Sequence, residues 1–258
     1  MRIQAGLHSP IKRHAQFRFY QELNDFLPGT KRGKNFDYVF SGKPSVKDAI
    51  EAMGVPHPEV DLILVDGSSV AFNYPLKGGE RVAVYPVFER FDISPLVHLR
   101  PQPLRETKFI LDVHLGKLAR YLRLCGFDCY YRNDLDDPEI IRRAADEKRI
   151  ILTRDIGILK TRSVTHGYWV RNTAPKLQLK ETVETLQLEK ALNPFSRCAD
   201  CNAPLKTAEK EMLQGRIDDA VWQGFREFAE CTGCQHIYWK GTHYDRICEL
   251  INWVIKSD

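Results

Sequence analysis

Several features that fix a protein's class at a glance are missing from this sequence. It has no run of about 18 uncharged apolar residues, so no membrane-spanning helix and no membrane partner are expected. Met1 to Pro10 lack the apolar stretch of a secretion signal. Charge of one sign is also scarce: 38 Lys and Arg stand against 34 Asp and Glu. The resulting net charge of +4 admits a polyanionic partner but gives no dense basic run to argue for nucleic acid alone. Internal repeats and low-complexity tracts are absent. Seven cysteines, an odd number without a secretion signal, make a poor disulfide framework. A reducing, cytoplasmic location is expected, and four of the seven need another use.

At 258 residues the chain has room for about two to three domains, and three regions separate by pattern. In the first, Phe17-Arg18-Phe19-Tyr20 and Phe36 to Phe40 read as strands. Ser45 with Asp48 reads as a near capping box for a helix carrying Val46, Ala49, Ile50 and Met53, stopped by Gly54. Leu62 to Val65 is a strand entering the Asp66-Gly67 turn. Gly78-Gly79 reads as a hairpin turn before a strand from Arg81 to Val87. This is an α+β arrangement. From Phe91 to Thr107 the periodicity lapses around Pro95, Pro101 and Pro103, which marks a linker.

The second region alternates strand and helix. Strands are expected at Phe109-Ile110-Leu111, Cys129 to Tyr131, Ile150 to Leu152 and Tyr168 to Val170. Helices are expected at Leu115 to Leu124, Pro138 to Lys148 and Leu177 to Leu188. Such alternation predicts a parallel sheet covered on both faces, with ligands bound beyond the carboxyl ends of its strands. Asp112 and Asp155 each follow an apolar strand and so fall at that edge. Asp134, Asp136, Asp137 and Glu139 supply further acids nearby, with Asp137 also well placed as an N-cap before Pro138.

A carboxylate cluster at a sheet edge suits phosphodiester hydrolysis assisted by Mg²⁺ or Mn²⁺, because hard cations take oxygen ligands and can activate a bound water. Lys117, Arg120 and Arg123 recur on the helix after Asp112, opposite the stripe Leu115, Leu118, Ala119 and Leu122. With Arg154, they are the candidate substrate-binding cations, although such a face is more often a solvated surface.

The third region carries Cys198-Ala199-Asp200-Cys201 and Cys231-Thr232-Gly233-Cys234. Two pairs at this spacing can close a tetrahedral four-thiolate shell around zinc, with no position open for a reactive water, so the expected Zn²⁺ is structural. A redox use would not account for two pairs. Cys125, Cys129 and Cys248 read as small apolar residues. His236 to Tyr244 mixes aromatic and basic groups able to stack unpaired bases, or simply to pack as a ribbon strand.

Two resemblances follow from these motifs. Ser45 to Glu51, Asp61 to Gly67 and Gly79 to Pro86 resemble a ubiquitin-like β-grasp domain of the sulfur-carrier type. Carriers of that kind end in a free Gly-Gly, whereas this chain continues through Pro86-Val87-Phe88, which argues against carrier chemistry. Phe109 to Asp112, Leu115 to Arg123, Gly126-Phe127-Asp128 and Arg149 to Asp155 together resemble the PIN-like ribonuclease domain of the Mut-seven C-terminal type. That family is described with a fused zinc ribbon and, in many bacterial members, a preceding ubiquitin-like domain.

The resemblance implies single-strand-directed endoribonuclease activity, RNA as partner, and a divalent metal held by Asp112, Asp155 and an intervening acid, with Asp136 the first choice. Where PIN nucleases often carry a fourth acid, this chain has Ile156-Gly157-Ile158. The rival reading is a non-catalytic RNA- or ribosome-associated binding protein. The expected layout is a β-grasp domain over 1–92, open to a protein partner, a linker over 93–106, an α/β PIN-like three-layer domain over 107–192, and a zinc ribbon with a C-terminal extension over 193–258.

Overall fold

The structure is a computed structural model that describes residues 11–86 and 107–256, so the 93–106 linker lies outside the described residues. Two compact units divide the chain: Met1–Pro103 with Leu159–His166, and Leu104–Ile158 with Gly167–Asp258.

In the first unit, β1 (Lys12–Phe19) and β2 (Phe36–Ser41) form an antiparallel pair, and α1 (Val46–Ala52) follows. The helix begins where the sequence says it should. The Ser45 hydroxyl accepts from Asp48 N at 3.1 Å, and the Asp48 carboxylate accepts from Ser45 N at 3.1 Å. Such reciprocal capping satisfies two otherwise orphaned amides and is worth about 1 kcal/mol. The helix turns Val46, Ala49 and Ile50 inward. The strands β3 (Leu62–Val65), β4 (Ser68–Ser69) and β5 (Arg81–Tyr85) complete a mixed sheet in the order β2-β1-β5-β3-β4, with β1 and β5 parallel at its centre. This is a β-grasp arrangement.

Gly78 and Gly79 adopt φ of +100° and +96°, which glycine alone enters freely, so they do form a turn. It is not a hairpin between paired strands, because β5 pairs with β1 and β3. The buried Glu80 carboxylate holds the turn by accepting from Lys77 N and Gly78 N at 2.5 and 2.9 Å.

In the second unit β6 (Lys108–Leu111) leads through a 3-10 turn, Val113–Leu115, into α2 (Gly116–Leu124). The chain continues through β7 (Asp128–Tyr130), α3 (Asp137–Glu147), β8 (Ile150–Thr153), α4 (Ile156–Leu159), β9 (Gly167–Trp169) and α5 (Pro175–Thr185). All four strands are parallel in the order β7-β6-β8-β9. From β6 the chain steps to one side and then crosses to the other, so the order reverses between β6 and β8. At such a switch point the loops part and leave a crevice at the carboxyl ends.

A three-stranded antiparallel ribbon follows, made of β10 (Leu205–Ala208), β11 (Phe228–Cys231) and β12 (Ile237–Trp239), with α6 (Asp219–Gly224) between its first two strands. The chain ends its described part in α7 (Thr242–Ile255), where the sequence predicts only a C-terminal extension. Its Ile247, Ile251 and Val254 join one buried cluster with Phe109, Leu118, Leu122, Leu179 and Val183. Each such side chain contributes about 1.5–3 kcal/mol on burial. The core of the parallel-sheet region therefore includes a helix from beyond the ribbon.

The turn after α2 shows how closely the ribbon approach is fitted. Gly126 has φ of +97°, and a Cβ there would sit 2.1 Å from the Asn193 carbonyl oxygen. Only glycine fits.

Candidate active site and the four-cysteine centre

The apolar strand β6 delivers Asp112 to the switch point with 4% of its surface exposed. A buried carboxylate needs partners. Its Oδ1 accepts from His114 N at 2.8 Å, while Oδ2 accepts from Thr153 Oγ1 at 2.5 Å and from Arg154 N at 2.8 Å. An ionised carboxylate offers about four acceptor sites, so three donors leave room for one further ligand. Asp155 follows β8 and is exposed, with Oδ1 accepting from Gly157 N at 2.6 Å. Thr153, fully buried, joins the two acids: its hydroxyl donates to Asp112 and accepts from Asp155 N at 2.8 Å. Sequence reading passed over Thr153, although its place two residues before Asp155 at a strand end was the available signal.

The acids of the β7–α3 connection separate into distinct roles. Asp136, not Asp137, is the N-cap of α3, and its Oδ1 accepts from Glu139 N at 2.9 Å. Asp134 is engaged by Arg132 at 2.5 Å, and Glu139 by Arg142 and Arg143 at 2.7 and 3.0 Å. Those arginines hold the Asp134 and Glu139 carboxyls below their ordinary range. Asp137 behaves oppositely. Its carboxyl is pushed up, first by partial burial and then by the charges of Asp155, Asp112 and Asp136.

Of the four candidate cations, Lys117 and Arg120 are exposed on α2, with Arg120 Nη2 lying 3.5 Å from Asp200 Oδ1. Arg123 does not face solvent. It is 6% exposed, and its guanidinium donates to the Cys129 carbonyl at 2.9 and 3.0 Å and to the carbonyls of Ala199 and Asp200 at 3.2 and 2.8 Å. Its three-residue spacing from Arg120 carries it around the helix onto the β7 side, where it anchors the first cysteine knuckle. Asn202 adds a second anchor, accepting from Cys129 N and donating to Asp128 Oδ1, each at 2.9 Å. Arg154 is likewise turned to structural use, because its Nη1 donates to the carbonyls of Val170, Arg171 and Asn172.

The ligand atoms of Cys198, Cys201, Cys231 and Cys234 all lie within 4.8 Å of one another; among the described residues this is the one group of three or more metal-ligating side chains drawn so close. Opposite pairs approach to 3.6 Å (Cys198 with Cys234) and 3.2 Å (Cys201 with Cys231). Amides of Cys201, Gly233 and Cys234 point at the sulfurs at 3.3 to 3.4 Å, and the Tyr238 hydroxyl lies 3.1 Å from Cys198 Sγ. Partners of this kind favour thiolates and fix their directions. Gly233 is required for close approach: a Cβ there would come within 2.9 Å of Ala203 Cβ. Four sulfurs gathered this way suit zinc and leave no open position. Cys125 and Cys129 are buried apart from this centre, as expected, and burial pushes the Cys125 thiol up to about 12.

Comparison with known proteins agrees with this architecture. A family model described as "Mut7-C RNAse domain" matches residues 107–251, and one described as "Mut7-C ubiquitin" matches residues 12–92. No curated protein matches the chain. Among solved structures, small archaeal modifier protein 1 of H. volcanii is similar at 16% identity over 30% of this chain and 99% of that one. The TM-score of that likeness is 0.24. The chain belongs to the Mut7-C RNAse domain family and carries a Mut7-C ubiquitin-like domain ahead of the nuclease region.

Proposed function

We propose that this protein is a metal-dependent endoribonuclease whose acids are Asp112, Asp155 and Asp137. The observation that carries the reading is the pairing of the buried Asp112 with Asp155 through the Thr153 hydroxyl at the β6/β8 switch point, with both acids helping to raise the Asp137 carboxyl. Carboxylate oxygens at a strand-end edge suit a hard oxygen-liganded cation such as Mg²⁺ or Mn²⁺ better than a soft-ligand metal. A bound ion there supplies an activated water and offsets charge developing on the phosphorane. Asp112, held by three donors, is the rigid member of the set, and we favour Asp137 over Asp136, whose Oδ1 caps α3, as the third acid. Lys117 and Arg120 line the exposed side of α2 and meet the phosphate backbone.

Zinc in the four-cysteine centre is structural in this reading. The protein works in the cytoplasm, as an odd cysteine count with four cysteines given to zinc suits, and the β-grasp domain at 1–92 serves a protein partner.

The test is cleavage of a pool of structured and single-stranded RNAs with Mg²⁺ or Mn²⁺, comparing the unaltered protein with Asp112→Asn, Asp137→Asn and Asp155→Asn. Loss of cleavage in all three, and with EDTA under conditions that leave zinc bound, supports the proposal. RNA binding without cleavage, unchanged by any of the substitutions, supports the binding-protein alternative, for which the apolar Ile156-Gly157-Ile158 segment speaks.

A further inference from the structure

We propose that the groove between the ribbon and the start of α7 binds the single-stranded RNA segment flanking the scissile phosphate. The inference rests on the ribonuclease reading and names a substrate subsite within it. The groove encloses about 580 Å³, inside the range of about 300–1,000 Å³ typical of sites that bury a small organic ligand. Its floor is apolar, from Leu124, Phe228, Ile237 and Ile247, while Arg120, Arg197, Arg226 and Lys240 stand around it with Glu227 as the one lining carboxylate among the described residues. That excess of cations favours a polyanion. Lys240 already holds Glu227 at 2.5 Å, Arg120 lies 3.5 Å from Asp200 and Arg197 lies 3.7 Å from Asp128, which leaves the exposed Arg226 as the stronger phosphate candidate.

Aromatic faces supply the second half of the argument. Trp239 is 38% exposed, and its indole lies against Gly241, where a Cβ would come within 2.9 Å of Nε1. The ring is thus held by its own turn while part of it meets solvent. Tyr244 stacks on Phe195 with centroids 4.4 Å apart. Rigid aromatics beside cations are the equipment of proteins that stack unpaired bases, and a held ring loses little freedom on binding. The N-cap of α7 is Gly241, which has no side chain to satisfy the first-turn amides, so the helix start adds a favourable position for phosphate. Arg120 lines the groove from α2, the helix that the chain enters from Asp112 through the 3-10 turn Val113–Leu115.

The experiment uses the full zinc-loaded chain carrying Asp112→Asn, so that binding is read without cleavage, and a short fluorescently labelled single-stranded RNA. Added to that background, Trp239→Ala is expected to weaken affinity about tenfold. Arg226→Gln is expected to flatten the dependence of log affinity on log salt by about 0.7. Lys34→Gln, an exposed cation of the other unit, is expected to change neither. Affinity and salt slope unchanged in both groove variants, with circular dichroism and zinc content intact, would overturn the proposal. If Trp239→Ala disturbs the ribbon, Arg226→Gln decides alone. Failure of the unaltered protein to cleave RNA would remove the nuclease reading but leave this binding result readable.

Discussion

Thr153 donates its hydroxyl hydrogen to Asp112 across adjacent parallel strands at 2.5 Å, and the same oxygen accepts from Asp155 N. One side chain therefore fixes the orientation of a buried acid and the course of the backbone that presents an exposed one. Thr153→Val keeps the shape and the strand preference but removes both bonds. We expect cleavage to fall about 10–100-fold, as for other residues that orient a metal ligand, with Thr153→Ser largely restored. A Thr153→Val protein with parental activity would show that Asp112 needs no such support.

Asp137 and Asp136 are neighbours with different work, and substitution separates them. Asp137→Asn should reduce cleavage beyond the roughly 100-fold ceiling of outer-shell partners. Asp136→Ala should keep most activity while losing about 1 kcal/mol of helix capping.

The pH dependence follows from the sign of the Asp137 shift. Burial and the neighbouring acids raise its folded pKa, so its contribution to stability is fully present below the ordinary carboxylate value of about 4 and is lost as pH rises through the raised folded value. At neutral pH the metal-free protein carries that repulsion. Asp137→Asn should therefore melt at the same temperature as the parent or slightly above it at pH 7, with the difference vanishing below pH 4. Mg²⁺ should raise the parent's melting temperature at pH 7 and less at lower pH, because protons compete for the same oxygens. A metal-free Asp137→Asn protein markedly less stable than the parent at pH 7 would contradict the crowding.

Arg123 illustrates what pattern reading reached and what it did not. The buried stripe Leu115, Leu118, Ala119 and Leu122 and the strand-end positions of Asp112 and Asp155 follow from local periodicity, and they were legible. The fate of Arg123 depends on carbonyls at Ala199 and Asp200, more than seventy residues away in sequence, and no local pattern carries that. The same holds for Thr153 and for α7, whose partners are distant in the chain. Asp136 and Asp137 were both visible as acids, but which one caps α3 is set by a single turn of backbone. The β-grasp helix was read correctly because its capping box is local.

Arg123→Met is a direct check of the structural role. It leaves the carbonyls of Cys129, Ala199 and Asp200 without their donor, at about 1–3 kcal/mol for each buried group left unpaired. A loss of roughly 3 kcal/mol or more is expected, read as a fall in melting temperature of about 6–12 °C. Burial has already pulled the guanidinium's pKa down against the pull of nearby thiols and Asp200, so the site tolerates this charge because four hydrogen bonds to carbonyls stand in for water. A stable Arg123→Met protein that had lost only RNA affinity would return Arg123 to the substrate surface.

Removal of zinc should reach well beyond the ribbon. The chain enters the ribbon from α5 and leaves it into α7, and α7 places Ile247, Ile251 and Val254 in the same core as Leu179 and Val183 of α5. Releasing the four cysteines therefore loosens the segment that positions a core helix. Structural zinc contributes about 10–16 kcal/mol of apparent binding free energy in small zinc peptides, as much as the roughly 5–15 kcal/mol that holds an ordinary domain folded. Cys201→Ser, or a strong zinc chelator, should accordingly abolish the cooperative melting of the unit containing β6 to β9. Hydrogen exchange should rise together in α5 and α7, whereas the β-grasp unit, with its own buried cluster around Phe17, Ile50 and Val84, should still melt cooperatively. Protected amides in α5 and α7 after zinc loss would mean that the core closes without the ribbon, and the metal would then be confined to shaping the groove beside β12.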